Sequence, residues 1–548
     1  MAVRRHKRPG RGAGVGVGIV AALAAAPAWA GSVDLGSGFT LDYLANLTYS
    51  LAVRVDDPDA TLISNVNGDD GDRNYDKGAL INNRLALLAE TNFRYQRYGV
   101  FVRGSAFYDD VYFHKNDNDS PGTINRTGDY DQFTGSARDY LGKRARLLDA
   151  YAYGNFSIGS TALDVRVGNQ VVSWGESLFF PNMSGAQAPA DATKSNVPGT
   201  EVKEILLPAG QIYAQWGLTD RFSALAYWQW EWKGTELNPV GGYFSTSDVT
   251  GPGATFLRVP QLEPLDPVLA LFGLSSKVPR GRDIEPGDSG QWGAGLRYLF
   301  GEATEVSAYH IRYHDKNPVG ATTTTTAVTI PGVGTLAIPS QYQIVYTDDI
   351  KMSALALSSE VLGAAIGAEV SLRQDAGLNV NVGTSPVPTR GDVWQGNLNV
   401  TKLLLPTALW DSLTLLGEVG YVHVQDVDAI VVPDGMGGSV RYDQISNTRD
   451  ATAVQFLAQA GYKQVFPGWD FTLSLVNGYD ISGKSAIGGA LGSYTGKGDI
   501  RYAVGGTLKY LNNLELGLTY NGYAGGASLE NRTLADRSYA AFNAKYSF

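Results

Sequence analysis

"FTLDYLANLTYSLAVRV", residues 39–55, alternates almost without a break. Phe39, Leu41, Tyr43, Ala45, Leu47, Tyr49, Leu51, Val53 and Val55 are apolar, and Thr40, Asp42, Asn46, Thr48, Ser50 and Arg54 stand between them. Leu44 and Ala52 interrupt the pattern. A period of two is a β-strand with a different environment on each face. Strands of soluble folds typically run to about 5–6 residues, whereas a tilted strand that crosses a bilayer needs about 9–11. The length of this run favours lipid on one face and water on the other.

"YWQWEWK" (227–233) repeats the pattern with tryptophan. Extended back through "RFSALA", it places Phe222, Ala224, Ala226, Trp228, Trp230 and Trp232 on one face. An indole buries its ring and keeps its N–H wet at a membrane interface, so Trp228, Trp230 and Trp232 read as an outer aromatic girdle. Trp469 follows a short turn and precedes Phe471, Leu473 and Leu475, which reads as the inner girdle.

Eighteen such segments run from 39–55 to 537–548, among them 161–175, 221–236 and 340–361. Short links at 98–99, 159–160, 219–220, 362–363 and 512–513, with slightly longer ones near Glu302, Thr407 and Gly468, alternate with long links. The long links are 56–80, 112–143, 176–208, 237–288, 318–339, 380–390, 427–452, 484–498 and 526–536. Tight periplasmic turns alternating with long extracellular loops predict a transmembrane antiparallel β-barrel of about eighteen strands, with sixteen or fourteen if segments are over-split. At the end of the chain Ala540, Phe542, Ala544, Tyr546 and Phe548 share a face. Such a strand is expected to close the barrel on the first, with Phe542, Tyr546 and Phe548 read by the outer-membrane assembly machinery.

Residues 1–30 read as a cleaved export signal. Arg4, Arg5, Lys7, Arg8 and Arg11 precede the apolar run Val15–Ala26 and the small-x-small site Ala28-Trp29-Ala30. Residues 31–548 then form one barrel domain. The formal charge is −10, and the leader holds five basic residues and no acid, so the remainder is more acidic still. That balance argues against nucleic-acid partners. The absence of cysteine excludes disulfides and an N-terminal lipid anchor.

"RLLDAYAYGNFSIGSTALDVRVGNQVVSWGESLFF" (146–180) resembles the core motif of the family catalogued as "domain of unknown function 1302". So do residues 198–248 and "PGDSGQWGAGLRYLFG" (286–301), with further likeness at "LTLLGEVGYVHV" (413–424). The resemblance implies an outer-membrane barrel of Gram-negative bacteria that handles hydrophobic compounds such as lipids, sterols or polyesters. It also implies a companion outer-membrane lipoprotein and an inner-membrane exporter as partners, beside membrane lipid and lipopolysaccharide. It carries no catalytic residues and no cofactor.

A pore is defined by its inward residues. In 161–176 Asp164, Arg166, Gln170, Trp174 and Glu176 oppose Leu163, Val165, Val167 and Val171. Segment 176–208 is a candidate constriction that brings Glu176, Glu201, Lys203 and Glu204 to Arg166; the default reading is an external loop with solvated charges. The loop 237–288 is expected outside. Signals for enzymes and metals are weak. "GDSG" (287–290) lacks a His/Asp setting and reads as a turn. His310 and His314 stand roughly 13 Å apart on a strand, too far for one metal, and read as lumen or rim groups. The clusters "NGDDGD" (67–72) and "NDND" (116–119) lack calcium-loop spacing and read as solvated loops. The leading function is passage or binding of hydrophobic or amphipathic small molecules. The alternatives are a lipid or ester hydrolase and a structural or adhesive barrel.

Overall fold

The computed structural model describes residues 31–330, 334–434 and 437–548; the expected export signal, 1–30, lies outside them. Eighteen antiparallel strands close into one ring. The first nine are β1 (Phe39–Arg54), β2 (Leu80–Tyr95), β3 (Tyr98–Asp109), β4 (Lys143–Ile158), β5 (Thr161–Gln170), β6 (Ala209–Gly217), β7 (Phe222–Gln229), β8 (Gln291–Phe300) and β9 (Thr304–Tyr313). The rest are β10 (Ile350–Val361), β11 (Ala364–Val382), β12 (Ser385–Leu404), β13 (Ser412–Val427), β14 (Asp450–Phe466), β15 (Trp469–Ser482), β16 (Ile500–Tyr510), β17 (Leu514–Ala524) and β18 (Tyr539–Ser547). Each falls within or overlaps the segment that alternation marked, so sixteen and fourteen strands are excluded.

Each strand pairs with the next, and β18 returns to β1 from Asn46↔Ser547 to Arg54↔Tyr539. The start of β1 lies beyond the reach of β18. There the chain folds back on itself, and Gly31–Gly36 pairs with Phe39–Tyr43. This added strand was not expected. It covers backbone groups that ring closure leaves open.

The two faces separate as the pattern requires. On β8, Trp292, Leu296, Tyr298 and Phe300 are exposed outward while Gln291, Gly293 and Gly295 are buried inward. Exposed Leu355, Val370, Leu398, Phe456, Leu475 and Leu518 continue the outer apolar surface around the ring. At the short-turn end, Leu362 and Gly363 have φ of 52° and 68°. A two-residue hairpin with the twist of its strands needs positive φ at both positions.

Three boundaries differ from expectation. The segment 340–361 belongs to two elements: β10 begins at Ile350, and Gly334–Val345 pairs instead with Gly320–Ile330 in a separate hairpin. The link 380–390 is no loop, because β11 and β12 continue to Val382 and Ser385. β7 ends at Gln229, short of Trp230 and Trp232. At the long-loop end Tyr75, Tyr112, Phe133 and Tyr243 bury together against Ala52 and Tyr539. Beside them Arg54 and Arg537 are both paired with Asp72 and both fully buried.

Candidate functional site in the barrel interior

β5 stops at Gln170, and the next residues turn toward the inward side chains of other strands. Trp174 enters first, stacked on Tyr309 at 5.1 Å and edge-on to Tyr227 at 5.0 Å. Glycines make the room: a Cβ on Gly293 would stand 2.9 Å from the Trp174 ring, and one on Gly295 2.4 Å from Tyr309. Gly175 follows with φ +99°, and a Cβ there would meet Glu369 Oε2 at 2.2 Å. Without it, that oxygen accepts the Glu176 N–H at 2.8 Å.

Irregular backbone away from bulk water must find its hydrogen bonds in side chains. Residues 176–182 find them on β11, β12 and β13. Glu418 Oε2 accepts the N–H groups of Leu178 and Phe179. Asn399 donates to Glu176 O at 2.6 Å, Asn397 to Phe180 O at 2.9 Å and Gln395 to Pro181 O at 3.1 Å. Ser371 and Arg373 donate to Asn182 Oδ1 at 2.6 and 3.0 Å.

The second half of the segment is held by the opposite side of the ring. Arg146 on β4 pairs with Asp191, and Lys194 reaches Ser105 on β3 at 3.2 Å. Lys203 pairs with Glu90 on β2 at 2.7 Å and with Glu201 at 3.1 Å. Glu201 accepts from Asn46 on β1 at 2.9 Å and lies 3.5 Å from Lys545 on β18. Burial alone would raise the Glu201 carboxyl, but the two lysines hold it below the usual carboxylate range. Burial pulls the Lys194 ammonium down, against the pull of Glu204 at 3.6 Å. The segment therefore spans from β11–β13 to β1–β4, and its charges from Asp191 to Glu204 are all ion-paired.

The residues singled out from sequence divide into separate places. Gln170 is buried and exchanges amide hydrogen bonds with Gln211. Glu201, Lys203 and Glu204 lie at the β1–β4 side. Glu176 lies among Glu305, Arg297 and Glu369, and burial, with Glu305 next, raises its carboxyl. Arg166 meets none of these four. It lies over Tyr213 at 4.5 Å and Tyr151 at 5.8 Å. With Asn92, Phe101, Tyr151, Tyr153 and Asp164 it lines a recess of about 370 Å³. The expected constellation around Arg166 fails because the segment crosses to strands that sequence spacing cannot identify.

Trp228 and Trp230 are exposed on the outer face near the long loops, 50% and 38% accessible. Trp232 has left that face: its indole donates to Asp315 O at 3.1 Å and packs on Tyr346. Trp469 opens β15 at the short-turn end beside Tyr510. Phe542 and Tyr546 lie on β18, and Phe548 just beyond it donates its N–H to Ala45 O at 2.8 Å. His310 is not a lumen group, since it is exposed on the outer face with Nδ1 3.0 Å from Ser353 Oγ. His314 is buried at the long-loop end between Ser289 O and the Asp349 N–H.

The family described as "Protein of unknown function (DUF1302)" matches residues 11–548. The chain belongs to this family. No curated protein matches it. Among solved structures, OccAB1 of Acinetobacter baumannii aligns over 95% of this chain and 98% of its own, at 9% identity and a TM-score of 0.43. The outer membrane protein OpdK of Pseudomonas aeruginosa aligns over 92% and 98%, at 10% identity and a TM-score of 0.39. The outer membrane channel DcaP of Acinetobacter baumannii aligns over 95% and 100%, at 13% identity and a TM-score of 0.36. Similarity this distant carries no argument about cargo. In this DUF1302 barrel the residues that hold the inner segment were the ones sequence reading missed. The alternating "EVSLR" (369–373) and "QGNLN" (395–399) signal a polar face, but not what that face binds.

Proposed function

We propose that this barrel sits in the outer membrane of a Gram-negative bacterium and binds or passes amphipathic small molecules through its interior. The exposed apolar surface supports a lipid-facing exterior, with short turns on the periplasmic side and long loops outside. Membrane lipid, lipopolysaccharide and the assembly machinery are then its surroundings, and a lipoprotein and an inner-membrane exporter its partners in transport.

The observation that carries the reading is the recess at Arg166. Its guanidinium faces aromatic rings and has no carboxylate partner among the described residues. Phe101, Tyr151 and Tyr153 offer apolar faces beside that charge. An apolar body with an anionic end fits such a lining. Fatty-acid-like molecules have this chemistry, in keeping with the lipid and polyester link that the family resemblance implies.

Conductance of the refolded protein in planar bilayers tests the proposal, with a medium-chain carboxylate and the matching alcohol as probes. The carboxylate should block current through the wild type. Arg166→Ala should weaken that block about tenfold, worth about 1.4 kcal/mol, and leave the effect of the alcohol unchanged. Equal block in both proteins would remove the proposal. The same preparation settles the hydrolase alternative, which the His310–Ser353 contact raises. Turnover of a nitrophenyl ester that disappears in Ser353→Ala would favour it. Among the described residues no carboxylate orients His310, which is the missing part of a triad.

A further inference from the structure

We propose that Asp69, Asp70 and Asp248 form a calcium site that ties two long loops together over the mouth of the barrel. Asp69 and Asp70 belong to the β1–β2 loop and Asp248 to the β7–β8 loop. Each offers a carboxylate oxygen within 4.8 Å of the others'. All three residues are 0% exposed. The sequence reading of "NGDDGD" as a solvated loop is thereby overturned. Its spacing lacked a calcium loop because the third carboxylate comes from far along the chain.

The local charges do not balance. Arg73 pairs with Asp69, and Arg126 stands 3.8 Å from Asp70. Asp248 meets no basic side chain among the described residues. Each carboxylate also has one oxygen in use. Arg73 donates to Asp69 Oδ2, Asn118 donates to Asp70 Oδ1 at 3.3 Å, and the Asp70 N–H donates to Asp248 Oδ2 at 3.1 Å. The other three oxygens, Asp69 Oδ1, Asp70 Oδ2 and Asp248 Oδ1, are buried with no hydrogen-bond donor among the described residues. A buried acceptor without a donor is costly, and like charges beside it add to the cost.

A hard cation relieves both terms at once. Calcium takes 6–8 oxygens in irregular geometry, whereas magnesium demands near-octahedral order and keeps its water, and zinc prefers nitrogen and sulfur. An all-oxygen set drawn from two loops suits calcium. Asn118 links the third stretch, "NDND", to the same site. The ion would lock the loops whose Tyr75 and Tyr243 meet edge to face at 5.3 Å.

The test uses the whole barrel, refolded in detergent without lipopolysaccharide and stripped with chelator. Calcium titrated calorimetrically should bind at one site and protect the long loops from trypsin. Asp248→Asn should lose at least tenfold in affinity and keep heat-modifiable gel mobility. Asp443→Asn, on a different loop and exposed, should bind as the wild type. Absence of calcium-dependent protection in the wild type would overturn the proposal. So would equal binding by Asp248→Asn. If Asp248→Asn fails to fold, the wild-type titration still decides.

Discussion

Gly175 shows how much can rest on one missing side chain. Its φ of +99° and the 2.2 Å approach of Glu369 Oε2 to its Cβ position leave no room for alanine. The substitution strains the backbone by about 1–3 kcal/mol and pushes Glu369 off the Glu176 N–H. This strain falls on the inner segment and not on the wall. Gly175→Ala should therefore form a barrel of normal gel mobility whose open current is larger and noisier. Unchanged single-channel current would mean that the segment does not limit the passage. Gly293 and Gly295 act in the same way from the wall side, as spaces into which Trp174 and Tyr309 fit.

A strand is read by its two faces, and β5 offers the sharpest comparison. Arg166 lies against Tyr151 and Tyr213, while the adjacent Val167 is 43% exposed on the outside. Val167→Arg places a charge in lipid and should cost about 2–4 kcal/mol near the bilayer midplane. Its expected readout is reduced outer-membrane level and lowered resistance to urea. Arg166→Ala should leave both unchanged and alter block instead. Misassembly of Arg166→Ala beside a silent Val167→Arg would show the register slipped by one, which reverses every face of the strand. At the same scale, Trp232 illustrates where alternation stops informing: β7 ends at Gln229, Trp230 still keeps the outer face, and Trp232 belongs to loop packing.

For the whole molecule, closure is the decisive event. β18 must find β1 across the length of the chain, and the Phe548 N–H bond to Ala45 O extends the pairing past Ser547. Removing Phe548 should lower the yield of assembled barrel severalfold without shifting the urea midpoint of the fraction that assembles. Wild-type yield in pulse-labelled outer membranes would contradict this. The mouth closes differently, through Arg54 and Arg537 on Asp72 and Asp536, charges contributed by both ends of the chain.

The sequence by itself indicated about eighteen strands, their order and the face that most strand residues take, while it misplaced His310, the start of β10 and the link 380–390. These follow from local pattern, because every strand meets the same two media and repeats every two residues. The tertiary structure alone decided that 176–208 crosses the interior, that Glu369, Asn397 and Glu418 hold it, and that Arg166 meets tyrosines instead of acids. It alone brought Asp248 to Asp69 and Asp70 and turned Trp232 away from the outer face. Each of these depends on which distant residues become neighbours once the ring has closed. A long loop's polar groups bond to whatever the wall presents, so their partners are fixed by three-dimensional position and not by spacing along the chain.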